Sequence, residues 1–254
     1  MTNSITATLV GGPTLAFNYG SLRVLIDPTF DGPGDYPSGA ITLHKLVGAA
    51  LEPEDVGDID LVLLSHDQHA DNLDHSGREF LATVATVLST VDAETRIDGV
   101  AGLEPWDTRV VGDVRVTAVP AEHGPEGAEE LSGKVLGFVL RAEGWPTTYV
   151  TGDNASIPFV EAIADRFPDI RLAIVFAGAA NVGRFGAANV TFDARQVSRI
   201  AELLPDAQIV IVHFTDWGHF TQSAQDVIDE FATVGRSERL TVPVRGEPVM
   251  VWSA

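Results

Sequence analysis

The sequence predicts an α/β fold in which buried strands carry polar residues at one shared edge. Short runs rich in Val, Ile, Leu and Thr recur along its 254 residues, and stretches with apolar residues at three- and four-residue spacing lie between them. Four of the runs end in groups of polar, mostly ionisable residues. When buried strands end in this way, their polar side chains gather on one rim of a sheet.

The predicted elements follow this pattern along the chain. The strands cover residues 4–10, 13–18, 22–26, 60–65, 84–89, 109–119, 134–142, 147–151, 171–176, 208–213 and 247–252. The clearest helices cover residues 76–83, 156–167, 192–204 and 221–234. Residues 27–58 are rich in proline and glycine, so they are predicted to form a loop with one short helix near 42–50. Since no repeat or low-complexity linker occurs, residues 1–254 are predicted to form a single domain.

The composition limits the kinds of site and partner. There is no cysteine, so any metal must be held by His, Asp, Glu or Asn. The formal net charge of −20, from 36 acidic and 16 basic residues, disfavours binding to nucleic acid or anionic membranes. The N-terminal residues lack a signal-peptide pattern, and no run is long enough to span a membrane. We therefore expect a cytoplasmic protein with a small-molecule substrate, and we leave homo-oligomer formation open.

Histidines and carboxylates crowd together where predicted strands end. The segment SHDQHADNLD, residues 65–74, directly follows the apolar run LVLL and contains two histidines and three aspartates. An isolated histidine at a strand end is usually structural, and His44 and His75 are expected to be structural or solvent-exposed. Neutral imidazole and carboxylate groups together are suitable ligands for zinc, manganese or iron. The residues that predict such a site are His66, Asp67, His69, Asp71, His123, Asp153 and His213.

These motifs resemble a known family. SHDQHADNLD, VPAEHG, TGDN and VHF, in this order and at these separations, are similar to the five-motif pattern of the metallo-β-lactamase superfamily. The resemblance is to its branch of predicted metal-dependent hydrolases that includes L-ascorbate-6-phosphate lactonase. Residues 11–31, which lead to Asp27-Pro28, also resemble that branch. The resemblance covers nearly the whole chain and implies a four-layer αβ/βα sandwich, with a metal site at one edge between the two sheets.

The sequence departs from the family signature His-x-His-x-Asp-His at two positions. In an ungapped alignment Asp67 occupies the first histidine position, with His66 one place earlier, and Asn72 occupies the third. The resemblance implies that a first ion would be held by His69, His123, Asp153 and either His66 or Asp67. A second ion would be held by Asp71, Asn72, Asp153 and His213. The second site therefore loses an imidazole at Asn72.

The implied activity is hydrolysis with one or two divalent ions, for which zinc or manganese is the first choice and iron or magnesium an alternative. A metal-bound hydroxide would attack a small ester, lactone or amide. A phosphodiesterase of the same fold, or a degenerate member that binds a metal or ligand without turnover, is the alternative function. Asp67 or Asp71 would orient the nucleophile. His219 is a candidate proton donor, replacement ligand or helix cap, and Arg184 is either a substrate-anion contact or part of a plain surface loop.

Overall fold

The architecture is built from short strands that alternate with helices. The computed structural model describes residues 3–38 and 41–254. Its strands are β1 (Ser4–Gly11), β2 (Thr14–Tyr19), β3 (Leu22–Ile26), β4 (Gly34–Ser38), β5 (Ile41–Lys45), β6 (Leu61–Leu63), β7 (Thr86–Thr90), β8 (Val100–Leu103), β9 (Thr108–Val111), β10 (Val114–Ala121), β11 (Val135–Arg141), β12 (Thr147–Val150), β13 (Ile170–Phe176), β14 (Gln208–Val212), β15 (Leu240–Thr241) and β16 (Pro248–Ser253). The helices are α1 (His75–Leu81), α2 (Val91–Arg96), α3 (Glu129–Ser132), α4 (Ile157–Arg166), α5 (Ala194–Leu203) and α6 (Ala224–Thr233), with short 3-10 helices at Pro53–Val56 and Ser237–Arg239. None of the described helices is both long and apolar enough to cross a membrane.

Two seven-stranded sheets share a common design. The first has the order β16-β1-β2-β3-β6-β7-β8, and the second has the order β15-β14-β13-β12-β11-β10-β9. In the first sheet an antiparallel part, β16 to β3, joins a parallel part that continues to β8. The second sheet repeats this division, with β9 to β12 antiparallel and β12 to β15 parallel. The carboxyl ends of parallel strands meet at one edge of a sheet.

The main core lies between the two sheets, and the alternation of side chains along each strand determines which residues enter it. In β13, Leu172 and Ile174 join the core that both sheets share. Ala173 and Val175, on the opposite face, join a second core. Successive side chains of a strand point to opposite faces, so a strand that is apolar at every position can be buried on both sides.

Helices cover the outer face of each sheet. Val160 of α4, Val197 of α5 and Phe231 of α6 pack in the core behind the second sheet. Leu81 of α1 and Ala93 of α2 pack behind the first sheet. The layers are therefore helix, sheet, sheet, helix, which confirms the predicted α/β class and the four-layer αβ/βα sandwich.

Several local predictions were wrong. The short helix predicted near 42–50 is instead β5, which pairs with β4 as an antiparallel hairpin. Leu43 of β5 packs against Trp217 in a small core formed by residues distant in sequence, and this contact favours the strand over the local pattern. The strand predicted at 109–119 divides at Gly112, whose φ of 58° makes the turn between β9 and β10. Gly39, predicted as part of the loop, lies outside the described residues.

Candidate metal centre

The candidate ligands lie in loops that follow the carboxyl ends of strands from both sheets. His66, His69 and Asp71 follow β6 of the first sheet. In the second sheet, His123 follows β10 and Asp153 follows β12, while His213 follows β14. The two sheets face each other across the core, so these loops meet at one edge of the sandwich.

Three imidazole nitrogens and one carboxylate oxygen converge in a first ligand group. His66 Nε2 lies 2.9 Å from His69 Nδ1, which lies 3.2 Å from His123 Nε2. His123 Nε2 is in turn 3.6 Å from Asp153 Oδ2. Four ligand atoms at zinc–nitrogen and zinc–oxygen bond lengths around a tetrahedral ion would be about 3.3 Å apart. The spacing of this group therefore fits a divalent ion with three histidines and one aspartate.

A second group lies beside the first and shares Asp153 with it. Asp71, Asp153 and His213 each offer one atom to this group. His213 Nε2 is 3.3 Å from Asp71 Oδ2, and His213 Nδ1 is 2.9 Å from Asp153 Oδ1. His219 Nε2 is 3.0 Å from the same oxygen of Asp71. Asp153 thus presents one oxygen to each group, as a bridging carboxylate would.

The hydrogen-bonding state of these atoms supports the same conclusion. Both oxygens of Asp153, both ring nitrogens of His213 and Asp71 Oδ1 are buried without a hydrogen-bond partner in the described part of the chain. The His213 nitrogens lie close to aspartate oxygens, but the angles at these contacts are not those of hydrogen bonds. A buried polar atom without a partner costs free energy comparable to a lost hydrogen bond. Because coordination would satisfy several of these atoms, including one ring nitrogen of His213 and the oxygens of Asp153, the residues present fit a divalent metal ion.

The electrostatics keep the first group in its metal-binding form. Burial lowers the pKa of His66 to about 4, against the opposing effect of Asp153. Burial and the neighbouring histidines likewise hold the pKa of His69 well below its usual range. Burial acts to raise the pKa of Asp153, but His213 and His123 hold it below the usual value. Neutral imidazole and ionised carboxylate are the ligand forms that bind a metal.

His213 titrates in the opposite direction. Burial acts to lower its pKa, but the carboxylates of Asp153 and Asp71 outweigh burial and raise that pKa to about 10. Asp71 in turn has a pKa well below its usual range, because its contacts with His213 and His219 outweigh burial. A metal ion at the second group would therefore compete with a proton for His213.

Outer hydrogen bonds orient the ligating histidines. His123 Nδ1 donates to the Val190 carbonyl oxygen at 2.8 Å, which directs Nε2 towards the first group. The Ser65 hydroxyl donates to Asp27 Oδ2 at 2.7 Å and lies 3.0 Å from His66 Nδ1. With its only proton directed at Asp27, Ser65 accepts from His66, so the lone pair of Nε2 faces the other ligands.

Asp27 and Ser65 were not among the predicted site residues. Asp27 is fully buried and also accepts a hydrogen bond from the Ser65 backbone N–H. Burial raises the pKa of Asp27 to about 7, and the hydrogen bonds from Asn72 and Ser65 act against that increase. The signals that could have identified this pair were the Asp27-Pro28 dipeptide at a strand end and the position of Ser65 immediately before the histidine motif.

The structure places Asp67 outside both ligand groups. Its two carboxylate oxygens accept hydrogen bonds from Arg96 at 2.6 and 2.8 Å, and Arg78 lies 3.6 Å away. These arginines hold the pKa of Asp67 below its usual range, although burial opposes them. Of the two alternatives, His66 is therefore the one that lies among the other candidate ligands. The predicted ligand and nucleophile-orienting roles of Asp67 do not fit a carboxylate that is engaged by arginine.

Asn72, the other departure from the family signature, is held through its amide nitrogen. Asn72 Nδ2 donates to Asp27 Oδ2 at 3.0 Å. Its Oδ1 is buried and has no hydrogen-bond partner among the described residues. The amide oxygen is thus the atom of Asn72 that is available to a ligand.

Two backbone conformations in these loops depend on local sequence. Gly152, directly before Asp153, has a φ of 59°, and a Cβ there would lie 2.4 Å from the Leu136 carbonyl oxygen. Only glycine fits both constraints. His213 adopts a φ of 58°, which is unfavourable for a residue with a side chain, and its N–H donates to the Gly12 carbonyl oxygen at 2.8 Å. These turns aim the Asp153 and His213 side chains at the shared edge.

A small pocket faces both ligand groups. His69, Asp71, His123, His219 and Arg184 are among the residues that line it. His219 has only 9% of its side chain exposed, and its Nδ1 has no hydrogen-bond partner among the described residues. His69, Asp71 and His123, which were predicted to bind metal, therefore line one cavity together with His219 and Arg184.

Solved structures with similar folds share this architecture. A possible metal-dependent hydrolase from Veillonella parvula superposes with a TM-score of 0.84 at 20% identity, covering 97% of this chain and 99% of that chain. The isothiocyanate hydrolase from Delia radicum gut bacteria gives a TM-score of 0.81 at 19% identity, covering 98% of this chain and 100% of that chain. Identities this low show the fold alone. They show that this chain shares the two-sheet sandwich fold of those proteins.

Sequence comparison identifies the family. The UPF0173 metal-dependent hydrolase of Pyrococcus furiosus is 26% identical over 203 residues, which are 78% of this chain and 80% of that protein. The model of the beta-lactamase superfamily domain matches residues 22–214, and the chain belongs to that family. Similarity to the L-ascorbate-6-phosphate lactonase branch stays a prediction.

Proposed function

We propose that the protein hydrolyses a small ester, lactone or amide, with one or two divalent ions held between its two sheets. The observation that carries this proposal is the convergence of His66 Nε2, His69 Nδ1 and His123 Nε2 at 2.9 and 3.2 Å spacings. Three neutral imidazoles beside a buried carboxylate would be a costly arrangement without an ion to coordinate them. The second group, which shares Asp153, provides room for a second ion.

The donor sets favour different metals. The first group, His66, His69, His123 and Asp153, is rich in imidazole nitrogen, which favours zinc. The second group, Asp71, Asp153 and His213, is richer in oxygen, which suits manganese or ferrous iron better. A bound zinc-type ion lowers the pKa of a coordinated water to about 7 and stabilises negative charge that develops on oxygen.

The protein's own groups complete the chemistry. The Asp71 carboxylate contacts both His213 and His219. It can therefore orient a water molecule and hold the His219 ring in place. His219 lines the pocket, where its ring nitrogens can carry a proton to a leaving alkoxide or amine. Hydrolysis then releases one carboxylic acid together with the alcohol or amine. For a lactone, both products remain in one molecule.

Metal analysis followed by a substrate screen tests this function. We expect the purified protein to contain stoichiometric divalent metal and to hydrolyse simple lactones or aryl esters faster than bis-aryl phosphates. His123→Ala should lose both metal and activity. The matched control is His44→Ala, because His44 is a strand histidine with 59% of its side chain exposed and lies outside both ligand groups.

The screen also distinguishes the alternatives. Preference for bis-aryl phosphates would favour a phosphodiesterase of the same fold. Full metal content without turnover of any of these substrates would favour a metal-binding or ligand-binding protein. Loss of activity in His44→Ala equal to that in His123→Ala would contradict the assignment of the site.

A further inference from the structure

The pocket in front of the metal centre has a mixed chemical character. Apart from the histidines and Asp71, its lining is mostly aliphatic, with two hydroxyl groups and one basic side chain: Ile41, Leu43, Val182, Ser38, Ser132 and Arg184. Arg184 is the basic residue among the described residues that line this pocket. Every other charged or titratable group there is an aspartate or histidine of the two ligand groups, or His219.

Arg184 is held in place but keeps part of its hydrogen-bonding capacity. Its Nη1 donates to the Leu131 carbonyl oxygen at 2.6 Å, which ties the loop containing Arg184 to α3. In residues 3–38 and 41–254, no carboxylate forms an ion pair with it, although the chain has 36 acidic residues. Nε and Nη2 thus remain available as one two-donor edge of the guanidinium.

A two-donor edge of arginine matches a planar carboxylate. The two parallel N–H groups bind both carboxylate oxygens at once, in a geometry that lysine cannot reproduce. Arg184 as a whole is half-buried and lines a small pocket, and its hydrogen bond to Leu131 lies at the solvent-exposed side.

We propose that Arg184 binds a carboxylate that the substrate carries away from its scissile bond. The substrates are accordingly small lactones or esters with a free acid group, and their neutral analogues bind more weakly. This inference rests on the proposed hydrolase function and names the substrate class for the same site. Arg184 determines specificity through binding, so its removal should raise KM and leave kcat nearly unchanged.

Two lactones that differ at one position test this directly. 5-Oxotetrahydrofuran-2-carboxylate carries a carboxylate where γ-valerolactone carries a methyl group on the same ring. The metal-loaded wild-type protein should prefer the carboxylate lactone. Arg184→Met should lower kcat/KM for that lactone by about 10- to 100-fold, which is the loss expected for a hydrogen-bonded ion pair. The loss should come from a higher KM, while kcat stays nearly unchanged. The rate with γ-valerolactone should stay within about 2-fold of wild type.

Two further variants separate specificity from structure. Arg184→Lys keeps the charge without the two-donor edge and should recover only part of the preference. Arg195→Met removes an exposed charge on α5, outside the pocket lining, and should leave kcat/KM unchanged for both lactones. Thermal melting of each variant checks that losing the contact with Leu131 has not unfolded the loop. Equal losses on both lactones in Arg184→Met, or a wild-type preference for γ-valerolactone, would overturn the proposal.

A binding measurement separates failure of this inference from failure of the proposed function. The two hydrolysis products are 2-hydroxyglutarate, from the carboxylate lactone, and 4-hydroxypentanoate, from γ-valerolactone. In calorimetry, the metal-loaded protein should bind 2-hydroxyglutarate at least about 10-fold more tightly, which is the affinity expected from one additional ion pair. Arg184→Met should abolish that difference. If neither lactone is hydrolysed but the difference in binding is present and depends on Arg184, the lactonase function fails and the carboxylate site stands. If lactones are hydrolysed without any such difference, the carboxylate site fails.

Discussion

At the residue scale, Asp153 and Asp67 show how two nearby aspartates acquire different roles. Asp153 is fully buried, and its oxygens contact histidines of both ligand groups. Asp67 is engaged by Arg96 and Arg78 on the other side of the histidine loop. An aspartate that faces several imidazoles can hold a cation, whereas one that already neutralises arginine has little affinity left for a second cation.

This difference predicts opposite effects of two similar substitutions. Asp153→Asn should remove most bound metal and activity, since an amide cannot neutralise two cations. Asp67→Asn should keep the metal content and should lower the free energy of unfolding by about 1–3 kcal/mol, because it weakens a buried charged hydrogen bond. Metal analysis and urea denaturation of both variants check the pair. Retention of metal in Asp153→Asn, or its loss in Asp67→Asn, would contradict the ligand assignment.

His219 provides a second residue-scale prediction. Its contact with Asp71 places it at the edge of the second ligand group, on the wall of the pocket. His219→Ala should reduce kcat by about 10²- to 10⁴-fold, as expected for loss of a general acid. Metal content should remain near wild type. A loss of metal would make His219 a ligand, and an unchanged rate would leave it with a structural role only.

At the element scale, the start of α1 is held by the loop that follows β3. Asp31 accepts hydrogen bonds from the backbone N–H groups of His75 and Ser76 and from the Ser76 hydroxyl. Burial acts to raise the pKa of Asp31, but these hydrogen bonds hold it below its usual range. Asp74, the residue before α1, caps Gly77 N–H and pairs with the buried Lys45 of β5. The helix after the metal loop is therefore attached to both the β3 loop and the β4–β5 hairpin.

The lowered pKa of Asp31 predicts how its contribution to stability depends on pH. Asp31→Asn should lower the free energy of unfolding by about 1–2 kcal/mol at pH 7. A carboxyl whose folded-state pKa is lowered stabilises the protein above its unfolded-state pKa of about 3.9, and this stability is lost as the pH falls through the folded-state value. The difference between wild type and variant should thus be present at pH 5 and shrink at lower pH.

Urea denaturation of metal-free protein across this pH range measures the effect without interference from metal release. Asp58→Asn is the control, because Asp58 is exposed and makes no side-chain hydrogen bond among the described residues. A difference between wild type and Asp31→Asn that grows at low pH would contradict the prediction.

At the scale of the whole molecule, the metal centre joins the two sheets. His66, His69 and Asp71 belong to a loop of the first sheet, whereas His123 and Asp153 belong to loops of the second. An ion bound by both sets would hold the sandwich together at that edge. A ligand that binds only the native state stabilises it by an amount that rises with its concentration above Kd, about 2.7 kcal/mol at 100 times Kd.

Removal of the metal should therefore lower the melting temperature. A chelator should decrease the Tm of wild type by several degrees, and added zinc should restore it. The same chelator should have little effect on Asp153→Asn, which has lost its bound metal already. Thermal melts monitored by circular dichroism give the readout. An equal decrease in both proteins would show that the chelator acts through something other than this centre.

Much of the fold could be predicted because its elements have strong local patterns. β13 and β14 are apolar at successive positions, and α5 and α6 carry apolar residues at helical spacing. The hairpin β4–β5 and the short helix α2 were not predicted. β5 is stabilised by contacts with Trp217, more than 150 residues further along, and no local pattern reports such a contact.

For the site, the sequence by itself determined the types of ligand and the strand ends that present them. Histidines and aspartates directly after apolar runs must lie at the ends of buried strands, and charges there need compensation. Only the tertiary structure decided which of His66 and Asp67 faces the other ligands. Adjacent side chains point in different directions, and here Ser65 with Asp27 orients one while Arg96 holds the other. Asp27 and Arg96 are tens of residues away in sequence, so the choice depends on contacts that exist only once the chain has folded.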